Sequence, residues 1–166
     1  FVPSINMKNF KKGEISMDIK IEKENEFNII VLTKQFNEET SFENIPKFWE
    51  EYYEKGYQKV VPPMLGICIN NNESLEFEYG IGSLKEYCNE IPEGFKKINI
   101  PEHLWGKFYT KGKMPIAIQK LWKEAIDWVQ NSEYEIASNF DFECYSEGDI
   151  DSEDYVSGIW VALKIK

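Results

Sequence analysis

The run FECY near the C-terminus places three reactive residue types side by side, Glu143, Cys144 and Tyr145. On a strand, period-two alternation puts Glu143 and Tyr145 on one face and Phe142 and Cys144 on the other. A carboxylate set among aromatic rings is partly desolvated and gains by pairing with a cation, and each ring face adds cation–π attraction of about 0.5–2 kcal/mol. The plain alternative for Glu143 is an exposed strand carboxylate on an acidic surface. Cys144 would need a neighbouring base to act as a nucleophile. The one histidine, His103, is distant in sequence and carries no local signature, so it reads as a strand-start residue. The loop SEGDIDSED is acidic but lacks the ligand spacing of an EF-hand, which makes it a solvated turn. Cys68, Cys88 and Cys144 are odd in number and have no paired short spacing, which disfavours both a disulfide framework and a zinc site. Hence no catalytic residue, no metal and no cofactor is expected.

Aromatic side chains are the other notable supply. Five Trp, nine Tyr and eleven Phe exceed what a core of this size usually absorbs, so some are expected to line a cavity. Phe48, Trp49, Tyr52 and Tyr53 offer more ring surface than one helix face hides. Trp49 reads as a cavity residue, and Trp122 as a ridge packing helix on sheet. Trp160 is the inward aromatic of the last strand. Trp105 and Tyr109 share one face of their strand and Phe108 takes the other; alternation alone leaves open which face looks into a cleft.

The elements that must position these residues follow from periodicity and turn chemistry. Ile15–Lys23 and Glu26–Phe36 read as strands, Ser41–Gly56 as an amphipathic helix closed by glycine, and Met64–Asn70 with Ser74–Gly82 as a hairpin through an Asn-rich turn. The pattern then recurs. Phe95–Pro101 and His103–Gly112 read as strands, Met114–Ser132 as a helix, and Tyr134–Tyr145 with Tyr155–Lys166 as a second hairpin. The helices share wording, IPKFWEE at Ile45–Glu51 against IQKLWKE at Ile118–Glu124. These repeats predict an α+β fold of two pseudo-symmetric βαββ halves with a shared sheet or cleft between them. The expected layout is one domain over 1–166, with a linker and first strand at 1–24, a first half at 25–94 and a second half at 95–166.

Length and charge bound the function. A chain of 166 residues is long enough to bury about 70% of its unfolded surface without covalent staples. All 19 cations are Lys, against 29 Asp and Glu, for a net charge of −10. Without arginine there is no bidentate fork for phosphate or guanine, and the overall field repels polyanions, so nucleic-acid binding by this segment is disfavoured. The absence of a long apolar run and of a signal-peptide layout leads to the expectation of a soluble, cytoplasmic protein. The start at Phe1 reads as that of a piece of something longer.

Several stretches resemble one family, the GyrI-like effector-binding domains found at the C-terminus of AraC-type and related bacterial transcription regulators. They are IPKFWEEYYEKG, MLGICIN with FEYGIG, IPEGFKKINIPEHLWGKFYTKG, MPIAIQKLW and YEIASNFDFECYSEGDIDSEDYVSGIWVALK. Order and spacing fit along almost the whole chain. The resemblance implies a concave aromatic pocket with a central acid, which falls on Glu143, and a preference for hydrophobic or cationic ligands of the multidrug kind. Ligand contacts are expected from Glu143, Tyr145, Trp160, Trp49, Tyr79, Trp105, Phe48 and Tyr109. A second acidic position of the family is Gly158 here, and the missing side chain is expected to leave a gap beside Trp160. DNA would be contacted through an N-terminal helix-turn-helix module outside this segment, in an assembly compatible with a dimer. Two rival readings come from the same family: a stand-alone small-molecule hydrolase using Glu143 with Tyr145 or Tyr79, and a gyrase-inhibitor-like interaction protein.

Overall fold

Residues 17–70 and 75–166 are described by the structure, a computed structural model. The linker expected before the first strand and the Asn-rich turn lie outside the described residues. Eight strands and two helices follow one another as β1 (Met17–Glu24), β2 (Phe27–Asn37), α1 (Ser41–Glu54), β3 (Leu65–Asn70), β4 (Glu76–Leu84), β5 (Lys96–Ile100), β6 (His103–Lys111), α2 (Ile116–Gln130), β7 (Tyr134–Tyr145) and β8 (Val156–Ile165). The fold is α+β, as the alternation of period-two and helical segments predicts. No helix among the described residues is long and apolar enough to cross a membrane.

The chain divides into two compact units. One, here the α1 unit, is drawn from Asn25–Glu102 with Asn139–Phe142. Its strand order is β7, β3, β4, β2, β5, with β7 represented by that four-residue stretch. The pairs β3–β4, β4–β2 and β2–β5 are antiparallel, in a register that sets Ile67 beside Gly80 and Lys34 beside Tyr79. Alternation along β2 and β4 turns Ile30, Phe36, Tyr79 and Ile81 towards α1, which buries Phe48 and Tyr52 against them. The Tyr52 hydroxyl, fully buried, donates to the Val61 carbonyl at 2.6 Å, so the ring enters the core with its polar end satisfied. The α1 helix ends at Gly56, whose φ of 76° is the left-handed turn that its sequence position predicts.

The second, the α2 unit, is drawn from residues up to 24, His103–Ser138 and Glu143–Lys166, with strand order β1, β6, β8, β7. Here Phe108, Ile159, Val161 and Leu163 face α2, which buries Ile118, Leu121, Ala125 and Val129 on them. The shared wording of the helices maps onto their packing: Phe48 and Leu121 hold the same place in the motif and both are buried, as are Tyr52 and Ala125 one turn later. No glycine closes α2. Side chains help to take up its last carbonyls: Asn131 Nδ2 bonds Asp127 O at 2.8 Å, Ser132 Oγ bonds Val129 O at 2.7 Å and Lys166 Nζ bonds Gln130 O at 3.0 Å.

Two pairings cut across chain order. β5, read from sequence as the head of the second half, pairs with β2, and β1 pairs with β6.

Candidate ligand site

In the α2 unit Glu143 lies on the face of β7 that α2 covers. Its carboxylate is half-buried and accepts a hydrogen bond from Trp122 Nε1 at 3.2 Å. Tyr145 shares that face, as alternation requires, and packs with Trp122 against the apolar cluster beneath α2. An indole N–H is a neutral donor and satisfies one lone pair of the carboxylate. Sequence reasoning assigned Trp122 to packing. The signal that could have placed it beside Glu143 is the helix repeat, in which Trp122 occupies the position of Trp49.

In the α1 unit Trp49, Tyr79 and Phe48 come together on the α1 face. Trp49 Nε1 donates to the Tyr79 hydroxyl at 3.1 Å, and the Phe48 and Tyr79 rings meet edge to face with centroids 6.5 Å apart. Phe48 and Tyr79 are core residues, while Trp49 is half-buried. Each unit thus carries the same device, a helix tryptophan donating to a polar group on the sheet, with a phenol as acceptor in one and a carboxylate in the other.

The remaining three expected contacts sit elsewhere. Trp105, Tyr109 and Trp160 are buried together in the α2 unit on the sheet face opposite to α2, because Phe108 and Ile159 take the α2 side and their strand neighbours point away from it. Trp160 Nε1 donates to the Tyr109 hydroxyl at 2.8 Å, and the Trp105 and Trp160 ring centroids are 5.8 Å apart. Burial pushes the Tyr109 phenol well above its ordinary pKa. This group does not meet Glu143.

The gap expected at Gly158 is absent. Gly158 pairs with Tyr109 across the β6–β8 ladder, and a Cβ there would lie 2.5 Å from Tyr109 Cδ1 and 2.7 Å from Cε1. The tyrosine ring covers the glycine and fills the space that an acidic side chain would need.

Other reactive residues are in quiet surroundings. Cys144 is fully buried, and burial raises its thiol well above the ordinary value, the opposite of an activated nucleophile. The His103 ring packs edge to face on Trp105 with centroids 5.5 Å apart. Among the described residues no group of three or more His, Cys, Asp and Glu is placed to hold a metal ion. A groove of about 420 Å³ opens at β2 and α1, lined by Lys34, Lys47, Asn44, Glu51, Glu76 and Phe48.

A sheet covered by an amphipathic helix in each of two repeated units is the architecture of a GyrI-like effector-binding domain. More closely, residues 20–163 match the family model of Cass2, the integron-associated effector-binding proteins, and the chain belongs to that family. None of the curated proteins matches. Among solved structures the chain is similar to SAV2435, determined bound to tetraphenylphosphonium, at a TM-score of 0.77 and 22% identity over 89% of this chain and 94% of that one. It is similar as well to the integron cassette protein VCH_CASS2 from the mobile metagenome of Vibrio cholerae, at 0.63 and 17% over 90% and 96%. The EcmrR C-terminal domain follows at 0.58 and 15% over 90% and 99%. Likeness at these identities shows a shared fold.

Proposed function

We propose that this domain binds a small hydrophobic or cationic effector, with Glu143 as the anionic contact. The observation that carries this reading is the half-buried Glu143 carboxylate, which accepts a hydrogen bond from the Trp122 indole at 3.2 Å and shares its strand face with Tyr145. A carboxylate so placed has lost part of its hydration and regains it best from a cation with an apolar body. SAV2435, bound to tetraphenylphosphonium, is a structural precedent for a lipophilic cation on this fold.

Effector binding then serves regulation. A ligand with different affinities for two states of the domain shifts the activity of an attached DNA-binding module of AraC-type or related kind. This segment, at −10 and without arginine, is not expected to bind duplex DNA by itself. Titration with tetraphenylphosphonium, followed by tryptophan emission, is expected to show saturable quenching. Glu143→Gln should weaken binding by about 10- to 100-fold, the cost of about 1–3 kcal/mol for losing a charged partner in a partly buried site. Equal affinity of the variant and the parent would remove Glu143 from the site.

A further inference from the structure

On the α2-free face of the α2 unit stands a lysine that the reading above does not use. Lys107 is 5% exposed, in the middle of β6, between Trp105 and Tyr109 on their face of the strand. An ammonium so buried needs compensation from several directions, because the cost of leaving it unpaired is several kcal/mol. It has three. Nζ lies 3.0 Å from Glu22 Oε2 and 2.5 Å from Glu24 Oε1, both on β1, and 4.1 Å from the centroid of the Trp160 ring on β8. The indole is held for this role by its bond to the Tyr109 hydroxyl and by Trp105 packed beside it.

We propose that this is a self-occupied ammonium site: a cage of one indole face and two carboxylates, whose resident ligand is the chain's own Lys107. A primary ammonium has three N–H donors, and the cage offers two anionic acceptors and one π face to receive them. A quaternary cation has no N–H to give and does not satisfy the two carboxylates in the same way. The cage therefore selects primary alkylammonium ions, and it takes one from solution when the lysine side chain is cut back. While Lys107 is in place, Trp160, Tyr109 and Trp105 are committed to it and are withheld from exogenous ligands. This inference does not depend on Glu143, which lies on the opposite face of the sheet.

Lys107→Ala removes three methylene groups and the ammonium, the skeleton of propylammonium. The variant is expected to bind propylammonium with a Kd of about 1–10 mM, the range open to so small a ligand. Binding should raise its melting temperature and shift tryptophan emission saturably, at least ten-fold more tightly than tetramethylammonium, with sodium chloride at equal ionic strength and the parent protein giving no saturable response. An equal response to both amines, or an equal response of parent and variant, overturns the proposal. Should the variant fold only with propylammonium present, the proposal is supported. Should it fold in neither condition, acylation of the parent decides. Lys107 is then expected to react at least ten-fold more slowly than the exposed Lys120, and equal rates overturn the cage.

Discussion

Glu51 accepts hydrogen bonds from Lys34 at 2.5 Å and from Lys55 at 2.7 Å, and these two ammonium groups bring its pKa down to about 2. With the folded value below the unfolded one, the stability it contributes is present above the ordinary carboxylate pKa and is lost as pH falls towards 2. A carboxyl-resolved NMR titration should find the Glu51 midpoint near 2, and Lys34→Met should move it upward. The cost of that substitution in stability should stay below about 1 kcal/mol, because the pair is open to solvent. A Glu51 midpoint in the ordinary range would show that the ion pairs are not kept in solution. At this scale the sequence was informative about residue type and silent about partners. FECY showed that Glu143 and Tyr145 share a face. That Trp122 would reach Glu143, and that Lys107 would be buried against Glu22 and Glu24, depended on how α2 and β1 dock, which alternation does not encode.

Elements were more legible than contacts. Helix and strand limits follow the periodicity closely, and the repeat in helix wording becomes a repeat in buried positions. The misreading at Gly158 is one of register. Period two correctly puts Gly158 and Trp160 on one face, but only the β6–β8 ladder reveals that Tyr109 stands opposite the glycine and lies over it. A strand pair of this kind has no room for even one methyl group. Gly158→Ala should therefore cost about 1–3 kcal/mol, the usual range for overpacking a core, since Tyr109 must swing away and loosen its bond to Trp160. Chemical denaturation of the variant tests this, and an unchanged midpoint would mean that the ring moves freely. Gly158→Glu should fare worse, adding a carboxylate where the described packing leaves no space for it.

At the scale of the whole molecule, the division into units was the least legible feature. Sequence order suggests two successive halves, yet the α2 unit needs β1 from one end of the chain and β6 to β8 from the other, and β5 joins the α1 unit through β2. Strand partnership of this sort is decided by which edge is open once neighbours have paired, a quantity that no local window contains. It has a consequence for the order of events when the chain is made. β1 leaves the ribosome before the other described strands, but its nearest partner pair, Glu24 with His103, closes only after the intervening α1-unit sequence has been synthesised. Until then its Met17, Ile19 and Ile21 have no helix to cover them. Alternating Asp18, Lys20, Glu22 and Glu24 keep that waiting strand charged, which discourages pairing with other chains. In refolding followed by pulsed hydrogen exchange, amides of β1 should gain protection after those of β2 and β4, and simultaneous protection would contradict this sequence of events. A strand made early in this way waits for one made late, and the ions that later bind Lys107 serve, before that, as its guard against the wrong neighbour.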